Sequence, residues 1–145
     1  MSYIQSIVIE GIASAVDTTF SKVTNTGNAK VTITDGNGTS LNATLLSGIS
    51  SRTSGEVTVE NAVNVQGNTS QVTAAFVSSG TNVKAQTANI NISDASNVNE
   101  FAQIDSKTDG TIQYALTDTV QAIDSASASQ LSGTRAITAT DTVSS

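Results

Sequence analysis

Six short stretches of the chain alternate apolar and polar residues and then reach a small residue. They are IVIEG from Ile7, VTITD from Val31, VTVEN from Val57, INISD from Ile90, YALTD from Tyr114 and ITATD from Ile137. A period of two marks a strand with one buried face. The closing column is Gly11, Asp35, Asn61, Asp94, Asp118 and Asp141, residue types that favour the N-cap of a helix. The starts lie 24, 26, 33, 24 and 23 residues apart, which is a repeat.

Helical spacing follows several of these columns. Ile12, Val16, Phe20 and Val23 fall on one face in the first unit, and Leu41, Leu45 and Ile49 in the second. The third unit places its helix late, around Val72 to Phe76, and the fourth has Val98, Phe101 and Ile104. The fifth carries Val120 and Ile123 before a Ser/Ala stretch ending at Leu131. Gly-bearing loops, NTGNA, RTSGE, SSGTN, KTDGT and LSGTR, separate the units, and glycine there suits the left-handed turn that ends a helix.

This pattern predicts an α/β fold over residues 1–145 as one repeat domain: a solenoid of strand–short helix units with a parallel sheet. Such units bury an apolar face only by stacking, and their crossovers are too long for hairpins. An all-β fold, either a β-helix or a β-sandwich, is the alternative that the Thr and Val content suggests. AITATDTVSS reads as the opening of a sixth unit, either because the chain is a piece of a longer array or because its last strand is an open edge. The candidate assembly edges are Ile7, Val8 and Ile9 at one end and Ile137, Thr138, Ala139 and Thr140 at the other. Head-to-tail addition of such edges makes a filament.

Composition narrows the function. The chain is 37% hydrophobic with three Phe, two Tyr and no Trp, so Val, Ile, Leu and Ala must build the core. Roughly three residues in ten are Ser or Thr, and charged residues are 12%, below the ~25% usual in globular domains. The net charge of -6 and six scattered Lys and Arg argue against nucleic acid as a partner. No apolar run approaches the ~20 residues of a membrane span, so no membrane insertion is expected. MSYIQSIVIEGIASAV lacks a basic leader, which points to export by another route or to a leader already removed.

Candidate chemistry is sparse. Without His or Cys, the commonest bases, nucleophiles and metal ligands are missing, and the expectation is that the protein is not an enzyme. The carboxylate pairs Glu56 with Glu60 and Asp105 with Asp109 could serve a glycoside hydrolase, so a carbohydrate-binding or carbohydrate-active domain stays open. Asp94, Asp118 and Asp141 stack in a repeat ~5 Å apart, where they act as helix caps or bridge calcium. DGNGTS, from Asp35 to Ser40, has oxygens at alternate positions, but Leu46 stands where an EF-hand needs its closing Glu. Outward strand positions Thr32, Thr34, Thr58, Asn91, Ser93, Gln113, Thr138 and Thr140 would form a flat uncharged face, suited to solvent, polysaccharide, a partner protein or ice. Sequons at Asn37, Asn42, Asn68 and Asn91 are about as many as chance gives in so Ser/Thr-rich a chain.

INISDASNVNEFAQIDSKTDGTIQYALTDTVQAI resembles the repeats of very large bacterial surface proteins, common in cyanobacteria and other Gram-negatives. In these, a strand, SD or TD, and an apolar helical turn recur, often beside hemolysin-type calcium repeats and type I secretion. The resemblance is best over residues 88–145. The nonapeptide G-G-x-G-x-D is missing, so the repeat architecture is what the resemblance implies. The expectation is a non-catalytic structural or adhesive module of an extracellular bacterial surface protein, partnered by itself or neighbouring repeats and by cell-surface polysaccharide. The alternative is a subunit that polymerises through its open edge strands into a filament or sheet.

Overall fold

The computed structural model describes residues 7–23 and 26–141; Asn25 of NTGNA and the last four residues lie outside these. The chain is mixed α/β, with two parallel sheets flanked by helices. It runs β1 (Val8–Gly11), α1 (Ala13–Lys22), β2 (Lys30–Ile33), β3 (Ser40–Asn42), α2 (Ala43–Ser50), β4 (Val57–Val59), β5 (Asn64–Gly67) and α3 (Thr69–Phe76). Then come β6 (Val83–Lys84), β7 (Asn89–Ser96), α4 (Val98–Asp105), β8 (Ile112–Asp118), α5 (Val120–Asp124), α6 (Ala128–Ser132) and β9 (Thr134–Ala139). Helices in this number exclude the all-β alternative.

The first sheet has the order β1-β2-β4-β6 and the second β3-β5-β7-β8-β9, each pair of neighbours parallel. The six expected strands are therefore not one column. Those from Ile7, Val31 and Val57 lie side by side in the first sheet, and those from Ile90, Tyr114 and Ile137 in the second. After β2, β4 and β6 the chain bends and adds β3, β5 and β7 before its next helix, and the 33-residue spacing is one coil from β4 to β6 plus the crossing to β7.

Inward side chains stack in register. Ile9, Val31, Val57 and Val83 form one apolar row in the first sheet; Leu41, Val65, Ile90 and Ile112 form another in the second. All but Ile9 of these are buried, and one core cluster takes in both rows. Branched side chains suit this pleated packing. The helices close the core with Val16 and Phe20 of α1, Leu46 and Ile49 of α2, Val72 and Phe76 of α3, and Phe101 and Ile104 of α4. Ile12 and Val23, expected on the α1 face, are exposed because both lie outside the helix, and Leu41 belongs to β3 rather than α2. Phe101 stacks on Tyr114 with ring centroids 4.2 Å apart, tying α4 to β8.

Candidate functional site

The aspartate column does something other than cap its own helices. The N-caps are Ile12, Asn42, Asn68, Asn97, Thr119 and Ser127. Each aspartate instead reaches the helix that follows the strand paired with its own. The Ala13 amide of α1 donates to Asp35 Oδ2 at 2.6 Å, Thr69 of α3 to Asp94 Oδ1 at 2.7 Å, Val98 of α4 to Asp118 Oδ2 at 3.0 Å and Val120 of α5 to Asp141 Oδ2 at 2.9 Å. The donor is the first helical residue every time, an amide with no partner inside its helix. Parallel pairing explains the displacement: a strand's end lies beside the end of its neighbour, where the neighbour's helix begins. Of the two other members of the column, Gly11 ends β1 and Asn61 donates its side-chain amide to the Asp35 carbonyl at 2.8 Å. Among the described residues α2 has no such aspartate.

Asp94, Asp118 and Asp141 thus serve three different helix ends, whose amides supply the positive partner that repelling carboxylates would need. Among the described residues no group of three or more His, Cys, Asp or Glu is placed to hold a metal ion. DGNGTS is a turn: the Thr39 amide donates to the Gly36 carbonyl at 3.0 Å, Gly38 has φ 76°, and Leu46 is core.

A second recurring device was not foreseen. Thr53 and Thr108 are buried in RTSGE and KTDGT, stretches expected to be mere turns. Thr53 Oγ1 donates to the Ala29 carbonyl at 2.5 Å and accepts the Gly55 amide at 3.0 Å; Thr108 Oγ1 donates to Ala88 at 2.6 Å and accepts Gly110 at 3.0 Å. A Cβ on Gly55, Gly110 or Gly133 would strike the carbonyl oxygen of Ala29, Ala88 or Ile112 in the neighbouring segment. These glycines serve close approach, and only Gly27 and Gly80 of the five loops take a positive φ. Thr-x-Gly at 53–55 and 108–110 was the available signal.

The carboxylate pairs have separate engagements. Glu56 binds Lys84 at 2.8 Å, and the hydrogen bond and charge of that ammonium hold its carboxyl below the ordinary value. Asp109 accepts from Gln86 at 2.7 Å, while Glu60 and Asp105 are exposed.

The outward positions form two faces. Thr32 and Thr58 lie in register with Lys84 on the first sheet, and Asn91 faces Gln113 on the second, with Ser93 exposed on β7. Thr138 pairs with Thr117 on the second sheet, and Thr34 and Thr140 lie just beyond β2 and β9. The second-sheet face includes a shallow groove of about 210 Å3 lined by Asn64, Gln66, Asn89, Asn91, Thr111 and Gln113, with Ile90 between. One row is tied internally. Asn89 Nδ2 donates to Asn64 Oδ1 at 3.2 Å, and the Thr111 hydroxyl donates to Asn89 Oδ1 at 2.9 Å.

The expected edges sit at opposite ends. Among the described residues β1 pairs only with β2, leaving Ile7 and Val8 59% and 60% exposed and Ile9 half-buried. Among the described residues β9 pairs only with β8, and Ile137, Thr138, Ala139 and Thr140 are exposed. Among the described residues no helix is long and apolar enough to cross a membrane. No protein-family model, curated protein or solved structure matches the chain.

Proposed function

We propose that this chain is a non-catalytic structural and adhesive repeat module, a solenoid whose coils work by stacking. The observation that carries the reading is the backward cap: Asp35, Asp94, Asp118 and Asp141 each complete the helix of the coil before. A coil that depends on its successor suits a stack that can be lengthened without changing its plan. Asp118 and Asp141 are bound to backbone amides, Glu56 to Lys84 and Asp109 to Gln86. A cysteine-free, weakly charged chain and the resemblance over residues 88–145 support a place on the surface of a bacterial cell.

The test is insertion of a second copy of residues 89–111 after position 111. A solenoid accepts it: helix and strand signals in circular dichroism rise in proportion, unfolding stays cooperative, and the longest dimension in solution scattering grows by about one strand spacing, ~5 Å. An insert that stays disordered, or that unfolds the chain, overturns the reading.

A second reading, end-to-end self-association, is favoured by the apolar side chains at both edges, Val8 on β1 and Ile137 on β9. Sedimentation across a concentration series should show growing assemblies that Val8→Lys and Ile137→Lys each abolish. Monomer at every concentration rejects it.

A further inference from the structure

We propose that the amide groove on the second sheet binds a neutral polyhydroxylated polymer, a glycan lying across β5, β7 and β8. Gln66, Asn91 and Gln113 occupy successive strands in direct register, so their amides form a row along the stacking direction. Neighbouring strands are ~4.8 Å apart, close to the length of one sugar residue in an extended glycan. The row can therefore meet successive sugars with successive amides.

The two rows differ in hydrogen bonding except at Gln66, whose Nε2 donates to Ser40 Oγ at 3.4 Å. Asn64, Asn89 and Thr111 bond to one another and form a fixed wall. Among the described residues the side-chain amides of Asn91 and Gln113 have no hydrogen-bonding partner, although Asn91 is half-buried in the groove. Each offers two N–H donors and a carbonyl acceptor, the complement of a pair of sugar hydroxyls. No lining residue carries a charge, so nothing in the groove favours an anion or a cation over a neutral chain. The groove is small, about 210 Å3, and without an aromatic platform the contact is weak. An adhesive repeat gains by adding many weak sites.

The inference rests on the adhesive side of the reading above. The insertion experiment tests stacking separately, so the two can fail independently. The 15N-labelled chain would be titrated with cellohexaose, maltohexaose and N-acetylchitohexaose, with hexagalacturonate as the charged control. Saturable shifts of the Asn91 and Gln113 side-chain amides with at least one neutral oligomer, at millimolar concentration, are expected. Asn91→Ala with Gln113→Ala should weaken that binding roughly tenfold, while Thr32→Ala with Thr58→Ala on the other sheet leaves it unchanged. Gln113 is exposed, so Gln113→Ala alone serves should the double variant lose its fold. No saturable shift with any neutral oligomer, response to hexagalacturonate only, or binding indifferent to the groove variants would overturn the proposal.

Discussion

Helices α1 and α4 begin in the same place relative to their sheets but are held differently. At α4, Asn97 Oδ1 accepts the Glu100 amide, Glu100 accepts the Asn97 amide, and Asp118 accepts that of Val98. At α1 the N-cap is Ile12, whose side chain has no hydrogen-bonding atom, and among the described residues Asp35 alone supplies a side-chain acceptor, from a buried position. One end has three side-chain acceptors, the other one. The backward aspartate is common to both and the local capping box is the variable part. Reach between neighbouring segments is the primary device here, and local capping reinforces it.

The largest expected effect concerns what the two regions share. Gly55→Ala and Gly110→Ala each drive a Cβ into backbone, and each should cost about 3 kcal/mol in urea unfolding. A large difference between them would show that the two crossovers are not the same device. Next comes what differs: Asp35→Ala should cost about 2 kcal/mol and Asp118→Ala about 1 kcal/mol, because α4 keeps its capping box. Equal losses would mean that the box adds nothing. Thr53→Val and Thr108→Val keep the shape but leave a buried carbonyl and an amide without their hydroxyl, a loss of about 1–2 kcal/mol each.

The smallest effect is electrostatic. Because Lys84 lowers the folded-state pKa of Glu56, the pair's contribution is present above the unfolded carboxyl's pKa, ~4.3, and is lost as the pH falls through the lower folded value. Lys84→Ala should raise the Glu56 titration, followed by carboxyl NMR, toward its ordinary position, with little change in stability because the pair is exposed.

Much of this arrangement was legible from period alone. The strands from Val31, Val57 and Ile90 and the helices over Val72–Phe76 and Val98–Ile104 appear where alternation or three-residue spacing is unbroken. β3, β5 and β6 bury one residue each, so no alternation marks them, and the second sheet and the relay between sheets were hidden. The aspartates were legible as caps, but whose caps depends on which segment lies alongside, and parallel register decides that. Asn91 and Gln113 were placed on an outer face correctly; Asn64, Gln66, Asn89 and Thr111 join them only through the pairing of β5 with β7 and β8. Thr53 and Thr108 looked like loop residues because a hydroxyl that bridges neighbouring segments leaves no mark in hydropathy.

The backward aspartates also set a clock. Ala13, Thr69, Val98 and Val120 find their carboxylates 22, 25, 20 and 21 residues later in the chain. A chain that leaves a ribosome or an export channel N-terminus first therefore brings out each helix before its acceptor. That helix stays provisional until about one further turn of sequence has emerged. Order then advances along the molecule one step behind its own synthesis, each newcomer locking the segment it follows.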